Sequence, residues 1–520
     1  MGINANKNVV FAGLVCWCMS VSATAYQQSG EALYAEHIID WASINSLYGN
    51  TAGYLWLDKL QPNKNARLAL EFISSSVNHG LDPDDYHYQA LQQLDPQLNR
   101  AQAQRYDTML SDGLLQLLED LATGRLDPGV VDPKWSIPRV TFNAVAFLQN
   151  ALSSADFKKS LNSLLPASTQ YQQLVSAAER YQQYEDRGGW QEIPVSPVLK
   201  AGDVHDNVVA IRERLLFEDE ELASPRPSKL NYYDKELEAA VRQFQRRHSL
   251  FADGVIGSAT LRALNVSATE RLQQININLE RWRWLPYDLG KRYIMVNLAN
   301  YRLTAIEDGQ VKLDMRVIVG KIKRSTPSFS SKMTHIVTNP RWYIPNKLAR
   351  LDLLPKQKRN PSYFKRFNIR VYANEDGKRI EIDPASVDWE SVSGKYFPYS
   401  LVQDPGNRNA LGRLKFILPN PWKIYLHDTP SKSLFNKNKR NFSAGCIRVE
   451  DPFALADFSM NGSGEIKTLR SIVHSNESII AELKQPVSVY AIYATVWFQG
   501  DEIVFSPDSY KRDQVMAKYI

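Results

Sequence analysis

Cysteine is scarce, with three residues in 520. That excludes a disulfide-stapled scaffold. Long apolar runs are missing too. No stretch past the first two dozen residues reaches the roughly 18 apolar residues that cross a bilayer, so a multi-span membrane protein is excluded. Charge of one sign is only in slight excess: 62 Lys and Arg face 56 Asp and Glu, a net of +6. So mild a balance gives no ground for expecting nucleic acid. Histidine is sparse and scattered; His37, His79, His87, His205, His248, His335 and His474 show no paired ligand spacing. No metal and no cofactor is expected. What is present is 44% hydrophobic and 23% charged, the balance of a soluble globular protein, which excludes a disordered or collagenous chain. The length predicts three or four domains.

The N-terminus reads as an export signal. Lys7 precedes a short apolar stretch from Val9 to Val21, and Ala23 and Ala25 place small residues before Tyr26. Cleavage after Ala25 is expected, with no transmembrane segment left behind. Cys16 and Cys18 lie inside this segment, so the mature chain keeps only Cys446. A lone thiol in an oxidising compartment risks oxidation and stabilises nothing. It is either an inert buried residue or a nucleophile.

Residues 26–198 read as a helical scaffold. Leu110, Leu114, Leu117, Leu118 and Leu121 form one apolar stripe, and Gly124 and Pro128 end it. Gly188-Gly189, Pro194 and Pro197 mark a linker. Residues 199–267 form a compact unit of three short helices. Its stretches Asp206–Arg212, Ala240–Gln245 and Asp253-Gly254-Val255-Ile256-Gly257 resemble the three-helix peptidoglycan-binding domain. A linker helix is expected over 268–289.

From Tyr293 the pattern changes to short β runs: Tyr293–Leu298, Leu303–Ile306, Met315–Val319, Phe416–Leu418, Ile424–Leu426 and Val487–Tyr493. Between Pro345 and Ile380 the strand signal lapses. Ten Lys or Arg stand there against three acids, interleaved with Tyr363, Phe364, Phe367 and Tyr372. This reads as an insertion over 345–408, either a solvated face or a lid that meets an anionic substrate. Residues 498–520 read as a C-terminal tail.

One run carries chemistry: Tyr425-Leu426-His427-Asp428-Thr429, then Ser443-Ala444-Gly445-Cys446-Ile447-Arg448. A thiol needs a nearby base, and histidine is the usual one. Gly445 lets backbone N–H groups approach an oxyanion closely. Arg448 is suited to gripping a carboxylate with two hydrogen bonds. These residues define a cysteine acyltransferase or hydrolase.

The same residues resemble the L,D-transpeptidase family, whose signature pairs H-x-x-T/N with S-H-G-C-I/V-R. Asn409-Ala410-Leu411-Gly412, Val319-Gly320-Lys321 and Thr326-Pro327 add to the resemblance, which covers residues 290–497. One departure is clear: the family's second histidine is Ala444 here, leaving His427 as the only base in the motif. The layout is similar to the larger periplasmic members. The resemblance implies a multidomain α+β protein: helical scaffold, peptidoglycan-binding domain, and β-rich catalytic domain with a lid insertion.

It also implies roles. Cys446 is the nucleophile and His427 the acid–base group. Gly445, Tyr425 and Asp428 stabilise the oxyanion or orient the imidazole; Arg448, Ser443, Trp342, Tyr343 and Asn409 bind substrate. The expected partners are peptidoglycan stem peptides and glycan, with other wall-synthesis enzymes as candidates and no nucleic acid. The expected location is the periplasm of a Gram-negative bacterium, and the expected product is a 3→3 cross-link. The same fold could act as an L,D-carboxypeptidase or amidase, as a protein-anchoring transpeptidase, or as a non-catalytic wall-binding protein.

Overall fold

The computed structural model describes residues 40–49, 53–94, 97–218, 229–462 and 465–520. The expected signal segment, with Cys16 and Cys18, lies outside the described residues. The chain divides into two compact units: one comprises the described residues up to 77 with 81–122 and 141–165, the other 78–80, 123–140 and 166–520.

In the first unit, α1 (Trp41–Tyr48), α2 (Lys64–Ser74), α3 (Arg100–Thr123), α4 (Ala144–Leu152) and α5 (Phe157–Asn162) share one apolar core. Asp40, Asn63, Asn143 and Asp156 cap α1, α2, α4 and α5 by accepting N–H groups of the first turn. The α3 stripe is buried at the predicted leucine positions. Asp107 sits among them, accepting the Leu55 and Trp56 N–H groups and the Tyr48 hydroxyl. Burial outweighs those bonds and pushes its carboxyl up to about 6.

The second unit begins with α6 (Thr169–Asp186), then the three helices α7 (Asn207–Leu216), α8 (Lys235–Arg247) and α9 (Ser258–Leu264). Val208, Ile211, Leu215, Leu237, Val241, Phe244 and Leu264 form the core of this three-helix module. Its turn is organised by Gln245. The amide donates to Asp253 Oδ1, the Val255 carbonyl and Thr260 Oγ1, and accepts the Gly254 N–H.

Helix α10 (Ala268–Arg283) follows, started by a Ser267/Glu270 capping box. It lies within the helix expected over 268–289. One side packs Leu272, Ile275 and Leu279 with Tyr171, Leu174 and Ala178 of α6; Ile277 joins Val131, Trp284 and Met516. The apolar face of α6 thus finds its partner on α10. The expected C-terminal tail is folded as well. Strands β15 (Val496–Gln499) and β16 (Glu502–Phe505) pair as a hairpin, and α14 (Arg512–Met516) follows. Val496, Phe498 and Phe505 enter the α6/α10 core, and Arg281 pairs with Asp513 at 2.6 Å.

The main sheet contains β1 (Trp135–Ser136), β2 (Arg292–Asn297), β3 (Arg302–Glu307), β4 (Gln310–Gly320), β5 (Ser328–Thr338), β10 (Leu414–Ile417), β11 (Leu426–His427), β12 (Asn441–Ser443), β13 (Ile447–Val449) and β14 (Ile480–Ile492). Its order is β10-β11-β13-β4-β3-β2-β14-β5-β1, with β12 beside β4. Strand β10 also pairs with β5, so the sheet closes on itself. Leu414, Phe416, Leu426, Ile447, Val317 and Val319 point into one core. Helices α12 (Pro452–Ser459) and α13 (Glu465–Ser475) contribute Leu455, Ala456, Leu469 and Val473 to it.

The 345–408 insertion has a sheet of its own, contrary to the lapse read from the sequence. Strands β6 (Trp342–Ile344), β7 (Ile369–Glu375), β8 (Lys378–Ile382) and β9 (Ser400–Gln403) run in the order β8-β7-β9-β6. Asp376 and Gly377, both with positive φ, join β7 to β8 in a two-residue hairpin turn. The strand signal was weak because β8 is solvent-exposed along nearly its whole length and carries charge where apolar alternation is sought. Phe364, Val371, Trp389 and Leu401 make a small separate core, which the helix α11 (Leu354–Arg359) joins through Leu354.

Candidate active site

Strand β11 pairs in parallel with β13, and antiparallel with β10 on its other side. Directly paired residues share a face of a sheet. Leu426 and Ile447 therefore turn inward together, while His427, Arg448 and Lys415 share the opposite face. Tyr425 comes just before β11. Its carbonyl accepts the Ile447 N–H at 3.1 Å, which puts Cys446 beside it. The Tyr425 and His427 rings meet edge-on, 5.6 Å between centroids. The register thus assembles Lys415, Tyr425, His427, Cys446 and Arg448 from three strands.

The half-buried Cys446 thiol is pushed up by burial, and four groups oppose that push. They are the Tyr425 N–H, the Tyr425 hydroxyl, and the Lys415 and Arg448 charges. The Tyr425 hydroxyl is itself pushed up, by burial first and then by the thiol, while a hydrogen bond from Trp342 favours its ionised form. His427 is buried. Burial first, then the Arg448 and Lys415 charges, hold it down to about 3 against the Asp428 and Leu411 carbonyls. At neutral pH the site therefore rests as a thiol and a neutral imidazole.

His427 Nδ1 donates to the Asp428 carbonyl at 2.5 Å, which leaves Nε2 as the acceptor nitrogen. The Asp428 carboxylate does other work, accepting the Arg413 N–H at 2.8 Å and Lys432 Nζ at 2.7 Å. Of the two ways Asp428 could orient the imidazole, the backbone carbonyl is the one realised. Gly412 makes room for this arrangement: at φ +62°, a Cβ there would lie 2.3 Å from the Asp428 carboxylate.

Several predicted roles change. The Gly445 N–H donates to Ser443 Oγ at 3.1 Å, so it is engaged within the loop and not aimed at an oxyanion. Ser443 Oγ donates in turn to the Cys446 carbonyl at 2.5 Å. Ser443 Oγ thus holds this turn together. Gly445 does adopt a conformation that side chains rarely reach, φ +131°. Asn409 is likewise engaged within its own loop. Its buried amide donates to the Pro340 and Asp404 carbonyls and accepts the Leu411 N–H. Trp342 reaches Tyr425, whereas its neighbour Tyr343 is solvent-exposed. Arg448 is half-buried, and its buried Nε has no hydrogen-bond partner among the described residues.

Two residues gain a role from the structure, Thr326, named in the sequence only within a resembling turn, and Lys415, which was not singled out. Thr326 Oγ1 donates to the Gly445 carbonyl at 2.8 Å and accepts the Gly320 N–H, locking the nucleophile loop to the end of β4. Lys415 Nζ lies 4.1 Å from the centre of the Tyr425 ring. A lone lysine in a strand carries no motif, so only the pairing of β10 with β11 brings it to light.

Fold and site together give a closed β-sheet that gathers a cysteine, a histidine, a tyrosine, a lysine and an arginine on one face, and a separate three-helix module with its own core. Residues 291–473 match the L,D-transpeptidase catalytic domain, residues 205–264 a peptidoglycan-binding domain, and residues 42–177 a scaffold domain. The chain thus carries an L,D-transpeptidase catalytic domain beside a peptidoglycan-binding domain. A Haemophilus influenzae protein with a provisional L,D-transpeptidase name is 38% identical over 244 residues, covering 46% of this chain and 48% of that relative. The chain spans about half the length of that relative. Among solved structures, an L,D-transpeptidase from Mycobacterium smegmatis is 12% identical, covering 39% of this chain and 58% of its own, with a TM-score of 0.20. One from Stackebrandtia nassauensis is 13% identical, covering 58% and 97%, with a TM-score of 0.22. Overlaps that low carry no argument about this chain.

Proposed function

We propose that the protein is an exported peptidoglycan L,D-transpeptidase that forms 3→3 cross-links through a thioester on Cys446, and that it works in the periplasm as one of the larger members of its family. The observation that carries this reading is the sheet register, which gathers a thiol, an imidazole with a free acceptor nitrogen, a tyrosine hydroxyl and a partly unpartnered guanidinium.

In this reading the Cys446 proton passes to His427 Nε2 as sulfur attacks the carbonyl between the third residue, diaminopimelate, and the terminal D-alanine of a tetrapeptide stem. The carbon–nitrogen bond breaks, and D-alanine leaves with the proton that His427 returns. The side-chain amine of diaminopimelate on a neighbouring stem then attacks the thioester. It gives its proton to His427 and releases the Cys446 sulfur, which takes that proton back. One amide is broken and one is made, so no outside energy source is needed. The Cys446 N–H and the Tyr425 hydroxyl serve as oxyanion donors, and Arg448 holds a stem carboxylate.

The test is mass spectrometry of muropeptides after the purified chain is incubated with tetrapeptide-containing wall fragments. Dimers linked through two diaminopimelates, lost in Cys446→Ala, support the proposal. Release of D-alanine without dimers points to water as acceptor, and no change at all leaves only a wall-binding protein.

A further inference from the structure

The Lys415 ammonium is the least expected group on the site face. It stands on β10 opposite His427 of β11 and lies 4.1 Å above the Tyr425 ring. A cation at that distance is held by the ring's electron-rich face. The position is half-buried, so the charge is poorly screened by water, and among the described residues no acid forms an ion pair with it. Desolvation lowers its proton affinity while the neighbouring thiol raises it, and Lys415 in turn favours the thiolate. The other charged or titratable groups facing Cys446 are Tyr425 and His427 from the β11 segment and Arg448 from β13. Arg324, whose backbone borders Gly445, is occupied by Asp352. His335 of β5 and Glu482 of β14 lie one pair further along the same face.

We propose that Lys415 is a positioning residue for the nucleophile. Seated on Tyr425, it keeps a positive charge beside the Cys446 sulfur and so sets the pH range in which the thiolate is available. Arg448 alone cannot serve this purpose, since its guanidinium is the group offered to an anionic substrate. When a substrate carboxylate neutralises Arg448, Lys415 remains as the cation that stabilises the sulfur as it leaves the thioester. The proposal rests on Cys446 being the nucleophile of the reading above, but its test does not need peptidoglycan.

The rate of Cys446 alkylation by iodoacetamide, followed against pH, reports the thiol's ionisation directly. In Lys415→Met the midpoint should rise by about one pH unit, the shift expected from losing one nearby opposite charge. Lys415→Arg, which keeps the cation, should restore most of it. Lys415→Gln is the second neutral variant should Met disturb the sheet, and a thermal melt on each sample monitors folding. Turnover with a small β-lactam should lose maximal rate and keep its half-saturating concentration. An unchanged midpoint in a folded neutral variant overturns the proposal and reduces Lys415 to a packing residue. A shifted midpoint with no muropeptide dimers would instead leave it standing and remove the cross-linking function.

Discussion

Burial keeps the His427 imidazole neutral down to about pH 3, and the Asp428 carbonyl holds its proton on Nδ1. Near neutrality its second nitrogen is therefore always an acceptor. Cys446 is raised by burial, and in the proposed reaction it depends on that acceptor during attack. His427→Ala should slow acylation by a β-lactam at pH 7 by about 10²- to 10⁴-fold, the usual worth of a general base. The loss should shrink as pH rises and the thiol ionises unaided. Mass spectrometry of the adduct against time checks this; a wild-type rate at pH 7 would show that another group is the base. His427, Cys446, Gly445 and Arg448 were legible as residues because their chemistry needs those types close together. The hydrogen bonds of Asn409 were not, since a polar side chain spent on its own loop and one offered to substrate look alike in a sequence.

At the scale of elements, the insertion is a subdomain whose strand β6 carries Trp342 to the Tyr425 hydroxyl. Its basic residues remain largely without acidic partners. Lys358 donates to the Glu390 carbonyl, Arg359 to the Pro355 carbonyl, and Lys356 faces the Tyr363 ring. Carbonyls and rings leave the charge uncompensated, so helix α11 presents a cationic edge. Neutralising Lys356, Lys358 and Arg359 together should weaken use of polymeric peptidoglycan severalfold and change acylation by a small neutral β-lactam far less. The difference should fade in high salt, where exposed charges are screened beyond a few ångströms. Parallel rates with both substrates at two ionic strengths check it. Equal rates everywhere would make the cluster a solvated surface. The charge of this segment was evident from its sequence. Its sheet was not, because β6 and β9 are only three and four residues long, too short to show a pattern.

At the scale of the whole molecule, the two units should answer acid in opposite ways. Three buried histidines of the second unit are depressed: His79 to about 4, and His248 and His427 to about 3, each mainly by burial. Their unfolded value is about 6.5. Between those limits the unfolded chain binds more protons, so the stability they contribute is complete above about pH 6.5 and is lost as pH falls. Each histidine costs roughly 1.4 kcal/mol per pH unit in that window. In the first unit Asp107 is raised to about 6 from an unfolded value of about 3.9. Its contribution is present below the lower value and disappears as pH rises through the upper one. Lowering the pH from 7 to 5 should therefore destabilise the second unit by several kcal/mol while slightly strengthening the helical unit. Hydrogen exchange resolved by region, at the two pH values, would read both; a uniform response would refute the assignment.

By itself the sequence determined the composition class, the three-helix module, most strands of the main sheet and the His427 and Cys446 run on which the proposed chemistry rests. These depend on short-range pattern, such as periodicity, turn residues and a thiol close in sequence to an imidazole, and such patterns survive in one dimension. Tertiary structure alone decided that α6, α10 and the last 25 residues belong with the catalytic unit, since an amphipathic stripe does not say which distant face will cover it. It also decided which hydrogen bonds the loop polar groups use up, and that Lys415 faces the thiol. That last contact joins residues on three strands, and only sheet closure and register bring a lysine with no motif of its own beside a cysteine that has one.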